Sequence, residues 1–127
     1  YSLEAPNRLR RMTIRLDGFV SVHAPWRGGT LTTKPLTFAA APGGKATRLL
    51  LNASTSGAGF IRCEIRDAAG TPIPGFTLAE AKEVYGDEID LAMAWKGGAD
   101  VKALASKPVT LHFEMKDADI YSYCFGE

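Results

Sequence analysis

The chain has 127 residues, 46% of them apolar, with fifteen Lys and Arg against fourteen Asp and Glu and a net charge of +1. That is length enough for one domain with a real core. The near-neutral balance argues against nucleic acid as the main partner, which calls for a basic field. No apolar run nears the ~20 residues of a membrane span, so no membrane role is expected. No signal peptide is visible and the chain starts at Tyr1, so it reads as a processed or excised piece.

Residues 1–8 read as a linker remnant, with Pro6 and no period, and residues 9–127 as one domain. Residues 9–16 place Met12, Ile14 and Leu16 at spacing two, which predicts a strand. Its arginines, with Arg8, Arg10, Arg11 and Arg15 forming the one basic cluster, read as the wet side of an edge strand. Asp17-Gly18 breaks the pattern, and residues 19–22 continue as a short strand or the far side of a bulge. Residues 23–29 read as a loop, because Pro25 and the glycine pair disfavour regular pairing.

Short β-prone pieces follow at residues 30–33 and 36–38, then a turn at Pro42-Gly43-Gly44. Residues 47–52 have few polar interruptions and predict a central strand. Residues 54–59 are a loop of small residues. Residues 60–66 alternate, with Ile61, Cys63 and Ile65 inward and Arg62, Glu64 and Arg66 outward. Two prolines exclude a central strand at residues 71–76. Residues 78–85 carry the chain's one helical signature, with Thr77 or an earlier residue as cap, Glu80 three residues on and Gly86 at the end. Residues 89–95 predict a strand and residues 100–106 a helical turn.

The C-terminal stretch, residues 109–125, reads as a β-hairpin. Val109, Leu111, Phe113 and Met115 face one way and Thr110, His112, Glu114 and Lys116 the other. Residues 116–119 supply turn chemistry, and Tyr121, Tyr123 and Phe125 form a second apolar stripe. The total is about eight short strands with almost no helix. That predicts an all-β fold, a two-sheet antiparallel β-sandwich of jelly-roll or related Greek-key topology.

Chemistry is sparse. No catalytic motif, phosphate loop or dinucleotide fingerprint occurs. Cys63 shares a face with buried isoleucines, whereas Cys124 lies opposite its aromatic neighbours, and these opposed directions argue against a disulfide. Without a C-x-x-C spacing the pair is a poor zinc signal. The acidic groups Asp87, Glu88, Asp90 and Asp117, Asp119 read as turn residues. Calcium is the sharper alternative for them, since loops of sandwiches supply oxygen ligands. Asn52-Ala53-Ser54 matches a glycosylation acceptor. His112 reads as a solvated residue on a polar face. Trp95 closes the Leu91/Met93 stripe and reads as core. Trp26 has two readings: it covers one end of the fold, or beside Arg27 it makes a platform on which a sugar ring stacks. His23, in the same loop, and Tyr85 complete the candidate carbohydrate contacts.

The stretches 9–25, 33–38, 67–76, 95–101 and 107–122 together carry a family likeness. They include Leu9-Arg-Arg-Met-Thr-Ile-Arg-Leu-Asp-Gly18, Asp67-Ala-Ala-Gly-Thr-Pro-Ile-Pro-Gly-Phe76 and Trp95-Lys-Gly-Gly-Ala-Asp-Val101. The chain resembles a C-terminal β-sandwich module of bacterial proteins similar to glycoside hydrolase family 32, whose catalytic part is a five-bladed propeller. The resemblance spans residues 9–125. It implies a non-catalytic accessory domain, secreted or periplasmic; no cofactor is expected, with calcium the one open possibility. Its implied partners are a poly- or oligosaccharide and the parent hydrolase's catalytic domain. The alternative is a structural module that docks on the propeller and stabilises it without binding glycan. The catalytic carboxylates of such enzymes lie on the propeller, so none is carried onto this chain.

Overall fold

The computed structural model describes residues 9–127, and the expected linker at residues 1–8 lies outside them. Five strands form one antiparallel sheet: β1 (Val22–Ala24), β2 (Gly29–Thr32), β3 (Arg48–Asp67), β4 (Asp87–Ala92) and β5 (Val109–Gly126). The fold is all-β. The order across the sheet is β1-β5-β3-β4, with β2 following β1 along the same edge of β5.

Two strands dominate. β3 has 20 residues and β5 has 18, and they pair from Arg48 with Gly126 to Asp67 with Val109. The expected C-terminal hairpin is therefore one continuous strand. Its turn-like residues act locally: Asp117 adopts a left-handed φ of 44° and kinks β5 without reversing it. The expected loop at residues 54–59 is likewise part of β3. It passes the kink as a bulge, since Thr55 pairs with Ala118 and Phe60 with Lys116, leaving four residues of β3 opposite Asp117. Gly59 makes this possible. A Cβ there would lie 2.5 Å from the Asp117 carbonyl oxygen and 2.6 Å from that of Lys116.

The kink also switches which residues face the core. Leu111, Phe113 and Met115 are buried before it, Ala118 and Ile120 after it. A second irregularity skips Tyr121, because Asn52 pairs with Ser122 and Ala53 with Ile120. Beyond it Tyr123 and Phe125 pair with the buried Leu51 and Leu49. Phe125 stacks on Phe38 at 3.9 Å. The expected stripe of Tyr121, Tyr123 and Phe125 is thus broken, with the Tyr121 ring lying beneath the Arg15 guanidinium at 4.3 Å.

The inner face of the sheet is covered by irregular chain. Trp95 is fully buried, as expected. Its Nε1–H donates to the Cys63 carbonyl at 2.8 Å, and its ring meets Phe76 edge-on at 5.1 Å. Met93, Val101, Leu104 and Phe38 complete that layer. The turn expected near residue 100 forms a short 3-10 segment, Lys102–Leu104. Asp100 anchors it, accepting from the N–H of Lys102 (2.9 Å) and of Thr47 (3.0 Å).

The helix expected at residues 78–85 does not form. Its capping pair does: Thr77 Oγ1 donates to Glu80 Oε2 at 2.9 Å. After one turn the backbone is captured by sheet-like pairing, with Lys82 N–H donating to the Ala94 carbonyl and Val84 N–H to that of Ile61. These bonds replace the i−4 partners a helix needs. Residues 9–16 also differ from expectation. They lie in no strand, with Leu16 opening a turn, and Arg15 is no solvated edge residue, its side chain being 19% exposed.

Gly59→Ala is expected to destabilise the fold by at least about 2 kcal/mol, because the methyl meets the β5 backbone at both Lys116 and Asp117. Gly57, in the same bulge, has open space where a Cβ would sit. Gly57→Ala is expected to be near neutral, and urea denaturation of the two variants measures the difference.

Candidate functional site

The candidate site is built by the kink. β1 and β2 run one after the other along the edge of β5. Ala24 pairs with Ala118 and Gly29 with Met115, so residues 25–28 must pass two residues of β5. They do so as a tight turn: the Gly28 N–H donates to the Pro25 carbonyl at 2.8 Å, with Gly28 at φ 88°. The same carbonyl accepts from the N–H of the kinked Asp117 at 3.1 Å. The turn projects Trp26 and Arg27 from the sheet edge.

A groove of about 670 Å³ opens beneath them, floored by Thr30, Glu114, Met115, Lys116 and Phe60. Trp26 is 59% exposed, and Lys116 Nζ lies 4.1 Å from its ring centroid. Arg62 continues the row over Phe60 at 5.5 Å and pairs with Glu114 at 2.8 Å. The groove therefore presents an aromatic face, a carboxylate and cations on one sheet surface. Arg27 and Lys116 have no carboxylate within ion-pair distance among the described residues.

Two of the four expected contacts, Trp26 and Arg27, thus share a cavity. His23 does not line it. It belongs to β1 rather than to a loop, and its Nδ1 lies 3.2 Å from Asp119 Oδ1, which also accepts from Ser21 Oγ at 2.8 Å. Tyr85 is 69% exposed but sits on the far edge of β3, between Val84, bridged to Ile61, and Gly86, whose carbonyl accepts from Thr55 N–H. Sequence reasoning missed Lys116, Glu114, Thr30 and Phe60. The signal was present in the alternation of His112, Glu114 and Lys116, which marks one outward row.

That outward row continues away from the groove as a polar ladder. Thr32 Oγ1 and His112 Nδ1 are 2.7 Å apart. Glu64 is the buried member, 6% exposed, accepting from Arg66 Nε (2.8 Å) and from Leu78 N–H (3.0 Å). Burial pushes its carboxyl up, but those hydrogen bonds and the nearby Arg66 and His112 charges hold it below its ordinary value. Burial and the Arg66 charge lower the His112 imidazole.

A smaller groove of about 280 Å³ lies on the same outward surface beyond the kink, between Leu16, Asp17, Asn52, Ile89 and the exposed Cys124. Cys63 is buried, and the two thiols are free. Asn52 is 3% exposed and spent internally, its Oδ1 accepting from Arg15 Nε and its Nδ2 donating to the Leu16 carbonyl. As folded it is no glycosylation acceptor. Asp87 and Asp119 both neighbour Ser54 across the sheet. Asp87 is engaged by Arg15 and Asp119 by Ser21 and His23, and neither lines a groove. Among the described residues no three His, Cys, Asp or Glu are placed to hold a metal ion, and no helix is long and apolar enough to cross a membrane. Comparison of the chain with protein-family models, curated proteins and solved structures finds no match.

The Glu64 environment sets a pH dependence. A carboxyl held low in the folded chain contributes stability that is fully present above its ordinary value of 4.5 and is lost as pH falls through the folded value. The depressed His112 adds a loss that begins higher, as pH falls below 6.5. Urea midpoints measured from about pH 6 to about pH 3 are expected to fall less steeply for Glu64→Gln than for the parent in the lower half of that range. Parallel curves would contradict this.

Proposed function

We propose that this chain is a non-catalytic carbohydrate-binding module and that an oligosaccharide lies in the groove beneath Trp26. The observation that carries the reading is the groove itself. An exposed indole stands at its rim, and Arg27, Thr30, Glu114 and Lys116 converge below. Sugar rings offer an apolar C–H face to an aromatic plane and hydroxyls to charged and polar groups. A concave site with an apolar wall and a few fixed polar groups suits both. Lys116 against the Trp26 ring restrains the indole and lowers the ordering cost of binding.

The module's place in a larger protein belongs to the same proposal. Its likeness to the accessory domain of a bacterial propeller hydrolase supports a tethering role, in which binding raises the effective concentration of substrate at a catalytic domain. We read the single sheet as one layer of a β-sandwich whose second layer is reduced to isolated pairings, such as Ala81 with Trp95.

Docking without glycan is the second reading, favoured by an exposed apolar stretch. It lies at residues 9–22, which hold Leu9, Met12, Ile14, Leu16, Phe19, Val20 and Val22.

Affinity electrophoresis against soluble polysaccharides, with pull-down on insoluble ones, separates these readings. The first predicts retardation on one polysaccharide class, unchanged by EDTA, with Trp26→Ala weakening it at least about tenfold, or about 1.4 kcal/mol. His23→Ala and Tyr85→Ala are expected to leave it unchanged. Silence across the panel would favour docking.

A further inference from the structure

The N-terminal segment presents a problem that the carbohydrate site does not touch. Among the described residues, seven of the eleven exposed large apolar side chains fall between Leu9 and Val22. Met12 is 90% exposed and Ile14 57%. They alternate with Arg11, Thr13 and Arg15 as a half-buried strand does, yet residues 9–14 pair with no strand. A period-two apolar row in water is a strand without its sheet.

The other half of the problem is β4. It is the terminal strand of the sheet, paired only with β3 in the sheet order. Asp87, Glu88, Ile89 and Asp90 are all exposed. An open edge of this kind is a template for another strand. Its charge restricts which strand. Two β4 edges meeting would set Asp87, Glu88 and Asp90 against their like, and two N-terminal segments would oppose Arg10 and Arg11. The mixed pairing alone brings opposite charges together. Arg10, Arg11, Glu88 and Asp90 have no ion-pair partner among the described residues.

We propose that residues 9–14 of one copy add as a strand to the β4 edge of a second copy, reciprocally, in a closed two-fold dimer. Arg15 fixes where the exchanged arm departs. Its guanidinium donates to Asn52 Oδ1 (2.9 Å), Asp87 Oδ1 (2.5 Å), the Glu88 carbonyl (3.0 Å) and the Ala53 carbonyl (3.3 Å), and it stacks on Tyr121. These contacts span β3, β4 and β5, so the chain before Arg15 starts from the sheet surface with its guanidinium already reaching β4, the strand on which a partner would dock. Two-fold symmetry makes both pairings together and leaves neither β4 edge open for a further copy.

Sedimentation equilibrium of the full chain over a concentration series tests this. The expected result is a reversible monomer–dimer equilibrium. Arg10→Glu with Arg11→Glu weakens it at least about tenfold, and adding Glu88→Lys and Asp90→Lys to that variant restores it. The four positions are exposed, so far-UV circular dichroism matching the parent confirms that the variants fold. Ile14→Lys, which charges the apolar row, gives monomer in either charge background. A one-chain mass at every concentration overturns the proposal. So does an open-ended assembly, a dimer insensitive to the Arg10/Arg11 reversal, or a failure of the compensating charges to restore it.

Discussion

The long antiparallel ladder between β3 and β5 is the constraint from which the rest of the structure follows. Its inward side chains, Leu49, Leu51, Ile61, Cys63, Ile65, Leu111, Phe113 and Met115, are nearly all fully buried and form the floor on which Trp95, Met93 and Phe38 pack. Burial of that apolar surface supplies the driving force, at roughly 25 cal/mol per Å² removed from water. Strands this long cannot stay straight, since twist accumulates along them. The ladder gives way at two places, a one-residue skip at Tyr121 and the larger release where Asp117 turns left-handed and Gly59 lets the two backbones approach.

That release also creates the candidate site. Both neighbours of β5 must take up extra residues as they pass the kink. On one side the excess becomes the Ser56–Gly59 bulge, on the other the Pro25–Gly28 turn that carries Trp26 and Arg27. The groove floor, Lys116 and Phe60, is the pair of residues immediately beside the kink. Backbone irregularity and functional surface thus share one cause. Arg15 plays the matching role on the other half of the sheet. It satisfies the carbonyls of Ala53 and Glu88 near a bulge and ties the N-terminal segment across β3 and β4.

Local alternation was the part of the fold most readable from sequence. The inward and outward rows of residues 60–66 and 109–115 are as the period predicts, as are the buried Cys63 and Trp95 and the free, exposed Cys124. What the sequence concealed is continuity. Lys116-Asp117-Ala118-Asp119 and Ser54–Gly59 carry turn and loop residues, and locally they are irregular, but tertiary pairing carries both strands through. Propensity does not distinguish a kink from a reversal. The helical signature at Thr77 and Glu80 failed in the same way: the cap formed, and pairing with Ala94 and Ile61 then took the backbone donors. Of the site, Trp26 and Arg27 were legible because a Pro/Gly turn exposes its aromatic. Lys116 and Phe60 were not, since they join the groove only through cross-strand register.

Native-state hydrogen exchange tests the central claim, that one ladder spans the kink. The account predicts that amides of β3 and β5 on both sides of Asp117 open with one shared free energy, equal to that of global unfolding. Opening of residues 48–55 and 118–126 at a distinctly lower free energy than residues 60–67 and 109–116 would contradict it, and would mean that the kink divides the sheet into two separately stabilised halves.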